Sequence, residues 1–193
     1  MKTETLYIGI DPGITGAISW IFDNECNSIP MPIQKKKVNF IKLVETLSGI
    51  IQEIDDNTPR IRVVIAVEKQ WYHKSDGKPS VWTNSAGYAA ILNALAIVHK
   101  QIHDLEVTIV KATVWKSKFN LIVTVKEASA LGRLTKSRLT AYKKGKTAEK
   151  VLALYPKAEI LGPRGGLRDG LSDAIMIATW MKTITEEKKN ARK

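Results

Sequence analysis

The chain has 193 residues, 44% of them hydrophobic and 25% charged, which suits one ordinary globular α/β domain with a single sizeable core. Thirty Lys and Arg against 19 Asp and Glu leave a net charge of +11 and a pI of about 9.7, so the expected partner is a polyanion, nucleic acid above all. A lone cysteine, Cys26, excludes an internal disulfide and a CxxC zinc site, and no apolar run approaches the roughly 18 residues of a membrane span; a reducing, intracellular setting and no membrane partner are expected.

In chain order, Leu6 to Ile10 reads as a buried strand, reached so early that no cleavable leader is expected, and Ala17 to Phe22 as its hairpin partner across a turn holding Pro12, Gly13 and Gly16. From Asn39 to Ile54 the apolar residues Phe40, Leu43, Val44, Leu47, Ile50, Ile51 and Ile54 recur at helical spacing, with Asn39 as N-cap. Arg62 to Val67 is a β-branched strand ending at Glu68. Ser85 to Ile102, rich in Ala and Leu, predicts a long, mostly buried helix, and Val107 to Val110 a further strand. Periodicity weakens from Leu121 to Lys146, where Lys126, Arg133, Lys136, Arg138, Lys143, Lys144 and Lys146 accumulate; this reads as a basic insertion, a surface loop or flap. Helical periodicity resumes from Thr147 to Leu154, a Gly/Pro loop follows at 162–166, and a last helix runs from about Leu171 to Thr185 before a charged, frayed tail. This order predicts one mixed-sheet α/β domain over 1–185.

Acids stand where apolar elements meet turns: Asp11 after the first strand, Glu68 after a later one, Asp169 and Asp173 at the last helix. Hard cations need oxygen ligands, and a two-metal phosphodiesterase needs carboxylates converging from several elements. Spacing by four sets Asp169 and Asp173 on one helix face. Each acid also has a plainer role open to it. Asp11 can shape the turn before Pro12, Asp169 can cap the helix, Asp173 can meet the helix dipole, and Glu68 beside Lys69 can be an exposed strand end. His73, His99 and His103 lack metal-ligand spacing, and Gly9 to Gly13 is not a P-loop, since no GxxxxGK[ST] follows.

Ile8-Gly9-Ile10-Asp11-Pro12-Gly13-Ile14-Thr15-Gly16-Ala17 resembles the opening of RuvC-type Holliday junction resolvases, a branch of the RNase H-like superfamily. Val64 to Glu68, Lys146-Thr147-Ala148-Glu149 running to Tyr155-Pro156, and Asp169-Gly170-Leu171-Ser172-Asp173 through Ala178 then resemble further family blocks in the family's order. The stretch Trp71 to Tyr88, with Asp76-Gly77-Lys78 and Trp82, and the Val114-Trp115-Lys116 element are similar to the plant chloroplast and phage-like branch. The resemblance implies an RNase H-like mixed sheet flanked by helices, and a homodimer that makes paired nicks across a four-way DNA junction, leaving 5′-phosphate and 3′-hydroxyl ends. It makes Asp11, Glu68, Asp169 and Asp173 the ligands of two Mg²⁺ ions, with Mn²⁺ as the alternative, and it places Lys146 near the scissile phosphate. The expected DNA contacts are Trp71, Tyr72, Lys116, Arg133, Lys136, Arg138, Lys143 and Lys144, with an aromatic at 71 or 72 as a wedge into the junction and the helix from Ser85 to Ile102 as the dimer contact. The expected location is cytoplasm, or an organelle matrix or stroma. Two other classes remain. Actin-like ATPases and sugar kinases open on a similar hairpin but need a second, duplicated domain that 193 residues do not hold. A junction-binding protein that keeps the fold without cleaving is the non-enzymatic alternative.

Overall fold

The computed structural model describes residues 4–58, 60–71, 77–130, 132, 135–162 and 164–191. In chain order the elements are β1 (Glu4–Asp11), β2 (Ala17–Phe22), β3 (Glu25–Pro30), β4 (Ile33–Gln34), β5 (Lys37–Val38), α1 (Phe40–Asp55), β6 (Ile61–Glu68), α2 (Lys78–Gln101), β7 (Leu105–Val110), α3 (Ala112–Lys118), α4 (Val125–Ala130), α5 (Lys136–Leu154) and α6 (Asp169–Asn190). Five strands form one sheet in the order β3-β2-β1-β6-β7. The β1–β2–β3 side is an antiparallel meander, whereas β6 and β7 lie parallel to β1, as strands reached through helical crossovers must.

Alternation along the strands divides the core in two. Leu6, Ile8 and Ile10 of β1 and Val63, Ile65 and Val67 of β6 pack with Leu43 and Leu47 of α1 and Ile91 and Val98 of α2. Tyr7, Val64 and Ala66 face the other way, onto α6, with Trp115 of α3 and Ala148 and Val151 of α5. The result is a helix–sheet–helix sandwich with the mixed sheet in the middle, as the sequence predicts.

Several local expectations are corrected. The edge strand β3 and the β4–β5 ribbon carry too few apolar residues to read as strands. The helix expected from Ser85 begins at Lys78, with Pro79 in its first turn, where a missing N–H costs nothing. That helix buries one stripe (Gly87, Ile91, Ala94, Leu95, Val98) and is otherwise largely exposed, so it is not mostly buried. By length and average apolarity alone α2 would also be long enough to cross a membrane. In the stretch read as a loop or flap, the described residues form α4 and the first half of α5, continuous with the helix expected only from Thr147. The tail read as frayed continues α6 to Asn190.

Candidate active site

Strands β1 and β6 run in parallel register, Ile10 opposite Val67, so Asp11 and Glu68 emerge side by side at the same end of the sheet. Each lies an even number of residues from strand positions facing α6 (Tyr7 for Asp11, Ala66 for Glu68), and so each projects onto that face. Close approach of α6 completes the group. A Cβ at Gly9 would overlap backbone atoms of Ala174 and Ala178, and one at Gly170 would overlap the Thr15 carbonyl and lie 3.0 Å from the Gly16 Cα. Only glycine at both positions lets the first turns of α6 press on β1 and on the β1–β2 turn. That turn closes through Gly16 N–H donating to the Gly13 carbonyl at 3.1 Å, with Gly13 at φ 124. Arg168 occupies the N-cap position without a side-chain cap, so Asp169 is the first helical residue and not the cap, and Asp173 stands one turn later.

Asp11, Glu68 and Asp173 are electrostatically coupled to one another. Burial pushes Asp11 well above the usual carboxylate range; Asp173, Glu68 and Asp169 add repulsion, and Lys116 opposes it. Glu68 is raised by burial against the hydrogen bond from Trp115 and the charge of Lys116, and Asp173 is raised by burial against Lys116. The wholly buried Trp115 donates its Nε1–H to Glu68 Oε2 at 2.7 Å. Next in α3, Lys116 reaches Asp173 Oδ2 at 3.3 Å, with its ammonium 4.7 Å from the Trp115 ring centroid. From α5, Lys144 bonds Asp169 Oδ2 at 2.8 Å.

Four carboxylates facing two ammonium groups leave excess negative charge, and an all-oxygen donor set is what hard divalent cations take. In donor type and charge the residues fit Mg²⁺ or Mn²⁺. As the side chains stand, with Lys116 on Asp173 and Lys144 on Asp169, no three acidic, His or Cys side chains among the described residues are grouped closely enough to hold an ion. Beside Glu68 opens a cleft of about 390 Å³ walled by Pro12, Lys69, Gln70, Trp71 and Lys111. Gln70 Oε1 is buried there without a hydrogen-bond partner, and Trp71 is 66% exposed.

The structure thus sets Asp11, Glu68, Asp169 and Asp173 at one end of the sheet and pairs Lys146 with Glu127, its ammonium 2.8 Å from Oε1. That bond, with help from the Thr124 backbone N–H, holds Glu127 at about 2 and fastens α4 to α5. Lys116 and Lys144, read from sequence as DNA contacts, are paired with Asp173 and Asp169. Lys136, Arg138 and Lys143 are exposed on α5. Tyr72, His73, Asp76 and Arg133 lie outside the described residues. The role of Trp115 in holding Glu68 is not apparent from the sequence; the signal is a large aromatic in the short helix that follows β7.

Among solved structures, the chain is similar to Thermus thermophilus RuvC in complex with a Holliday junction substrate, with a TM-score of 0.54 and 14% identity over 95% of this chain and 96% of that one. A second Thermus thermophilus RuvC structure gives 0.50 and 15% over the same shares. The yeast mitochondrial Holliday junction resolvase aligns over 98% of this chain and 83% of its own, at 14% identity and a TM-score of 0.41, too low to carry an argument. No family model and no curated protein matches the sequence. At such identities the likeness is one of architecture: the chain has the RNase H-like α/β fold, a mixed five-stranded sheet flanked by helices, that RuvC also has.

Proposed function

We propose that the protein is a metal-dependent endonuclease that resolves four-way DNA junctions by hydrolysing phosphodiester bonds. The observation that carries this reading is the placement of Asp11, Glu68, Asp169 and Asp173 at one sheet end in a chain whose net charge is +11. Concentrated negative charge in a basic protein suits a polyanion bound around a cation site. The fold shared with RuvC, which has been captured on a Holliday junction, and the sequence resemblance to chloroplast and phage-like resolvases support the same substrate.

In this mechanism Asp11, Glu68, Asp169 and Asp173 would hold two Mg²⁺ or Mn²⁺ ions, which would supply Lewis-acid stabilisation and water activation. The chain's own groups do the rest. Trp115 fixes the Glu68 carboxylate, and burial keeps the acids avid for positive charge. Lys116 and Lys144, paired with Asp173 and Asp169 in this structure, would stand beside the phosphate once cations took those carboxylates, and an ammonium there would offset developing charge. Trp71, exposed on the cleft beside Glu68, offers a face for an unpaired base. The protein acts as a homodimer joined through the exposed face of α2, which matches the two-fold symmetry of a junction.

A second reading has its own observation: Lys116 and Lys144 already neutralise two of the acids, as in a protein that binds junctions without cutting them. Incubating the purified protein with an end-labelled four-way junction, with Mg²⁺ or with EDTA, decides between them. Paired, Mg²⁺-dependent nicks leaving 5′-phosphates support the nuclease. Tight binding with no cut in Mg²⁺ or Mn²⁺ supports the binding protein.

A further inference from the structure

The β4–β5 ribbon turns through two residues poorly suited to left-handed backbone. Ile33 pairs with Val38 and Gln34 with Lys37, which leaves Lys35 and Lys36 as a two-residue loop. Both adopt left-handed backbone, φ 48 and 60, the geometry of a type I′ turn. Asn-Gly is the pair that such a turn favours, because left-handed backbone strains residues bearing a Cβ. Here two lysines fill it and a third, Lys37, follows; all three are exposed, and no acid among the described residues pairs with them.

The base of the ribbon is fixed. Met31 N–H donates to the Gly16 carbonyl at 2.9 Å, Asn39 N–H to the Pro32 carbonyl at 2.9 Å, and Asn39 Nδ2 to Gln34 Oε1 at 3.3 Å. Val38 seats over Gly87 of α2, where an added Cβ would come within 3.2 Å of its methyl. Residue Ala17 pairs with both Asp11 and Pro30, so the chain leaves β3 at the acidic end of the sheet. The ribbon therefore stands at the same end as the carboxylates, on the α1–α2 face, with its charge held out from a rigid footing.

We propose that this ribbon is a clamp for the phosphate backbone of a DNA duplex arm, with Lys35, Lys36 and Lys37 as its contacts. The inference rests on the proposed function for its choice of DNA, and it assigns a surface that reading does not use. The strain at the tip then has a counterpart: charge is kept where turn chemistry alone would select Asn and Gly. A duplex whose strand reaches the acids crosses this end of the sheet and meets the lysines beyond it.

The test is the double variant Lys35→Asn with Lys36→Gly, which removes two charges while giving the turn its favoured residues. Its thermal midpoint should equal or exceed that of the wild type, so any binding loss is not unfolding. Affinity for a labelled linear duplex should fall by up to roughly 50-fold near 0.1 M salt, and the slope of log affinity against log salt should drop by up to about 1.8, since each lost phosphate contact removes about 0.9. Lys157→Gln with Lys189→Gln, which removes the same charge from the opposite end beside Asn24 and Thr5, should leave the slope close to the wild type. Wild-type affinity and slope in the ribbon variant, or an equal loss in the far-end variant, overturns the clamp. A wild-type protein that binds the duplex with the predicted ribbon dependence but neither prefers nor cuts a four-way junction overturns the proposed function and leaves the clamp standing.

Discussion

The indole Nε1 of Trp115 lies 2.7 Å from Glu68 Oε2, so a fully buried residue of α3 holds a carboxylate at the end of β6. Hydrogen bonds to ionised groups contribute about 1.5 to 3 kcal/mol. Replacing Trp115 by Phe keeps an aromatic ring, opens a small void and strips Glu68 of its donor. The variant should lose about 2 kcal/mol in urea unfolding. Junction cleavage should fall while junction affinity in EDTA stays near the wild type. Unchanged cleavage would mean that the indole only fills space.

Asp11 predicts an unusual pH dependence of stability. Its proton is held more tightly in the folded chain than in the unfolded one, through burial and then through Asp173 and Glu68. The favourable contribution is therefore present below the ordinary value of 3.8 and is lost as pH rises through the elevated folded value. Near neutral pH, where Asp11 of the unfolded chain is ionised, this elevation destabilises the metal-free protein. Asp11→Asn should accordingly raise the melting temperature in EDTA at neutral pH, with the gain shrinking in acid, while abolishing cleavage. Thermal melts across pH check this; a lower midpoint for the variant at neutral pH would show that the carboxylate is already compensated.

Under the proposed function, divalent cations must displace Lys144 from Asp169, with which it is paired at 2.8 Å. The pair is half exposed, so its contribution is at most about 1 kcal/mol. Lys144→Gln should tighten Mn²⁺ binding by no more than about fivefold in calorimetry, yet slow cleavage, because the ammonium is lost to the phosphate. Weaker Mn²⁺ binding in the variant would instead make Lys144 a support for the site.

Two glycines give opposite predictions for the same substitution. Gly9→Ala drives a methyl into the backbone of α6 and should cost more than about 3 kcal/mol, through overpacking with no flexible neighbour to yield. Gly49→Ala, in the middle of α1 with open space around it, should stabilise by roughly 0.5 to 1 kcal/mol. Denaturant midpoints of the two variants measure how closely α6 approaches β1.

The acids were legible in the sequence for a physical reason. A charged residue directly after Val63-Val64-Ile65-Ala66-Val67, or after Leu6 to Ile10, marks where a buried strand meets solvent, and parallel register then aligns the two ends. Helix α5 was not legible over its first half, because it meets the core only through Thr147, Ala148 and Val151 and leaves no apolar period before them. Strand β3 alternates only between exposed and half-buried residues, too weak a pattern to separate from a loop. Pairing of Lys116 and Lys144 with Asp173 and Asp169 depends on how α3 and α5 dock on α6, a tertiary fact that no local pattern encodes.

The central claim, metal-dependent cleavage of branched DNA by the clustered carboxylates, is tested most directly with a labelled four-way junction and a linear duplex of the same arm sequence, for wild type and Asp173→Asn, in EDTA and in Mg²⁺. The account predicts paired nicks in the junction only, only with Mg²⁺ and only for the wild type, with junction binding by Asp173→Asn retained in EDTA. Equal cutting of junction and linear duplex, or cutting by Asp173→Asn at the wild-type rate, would contradict it.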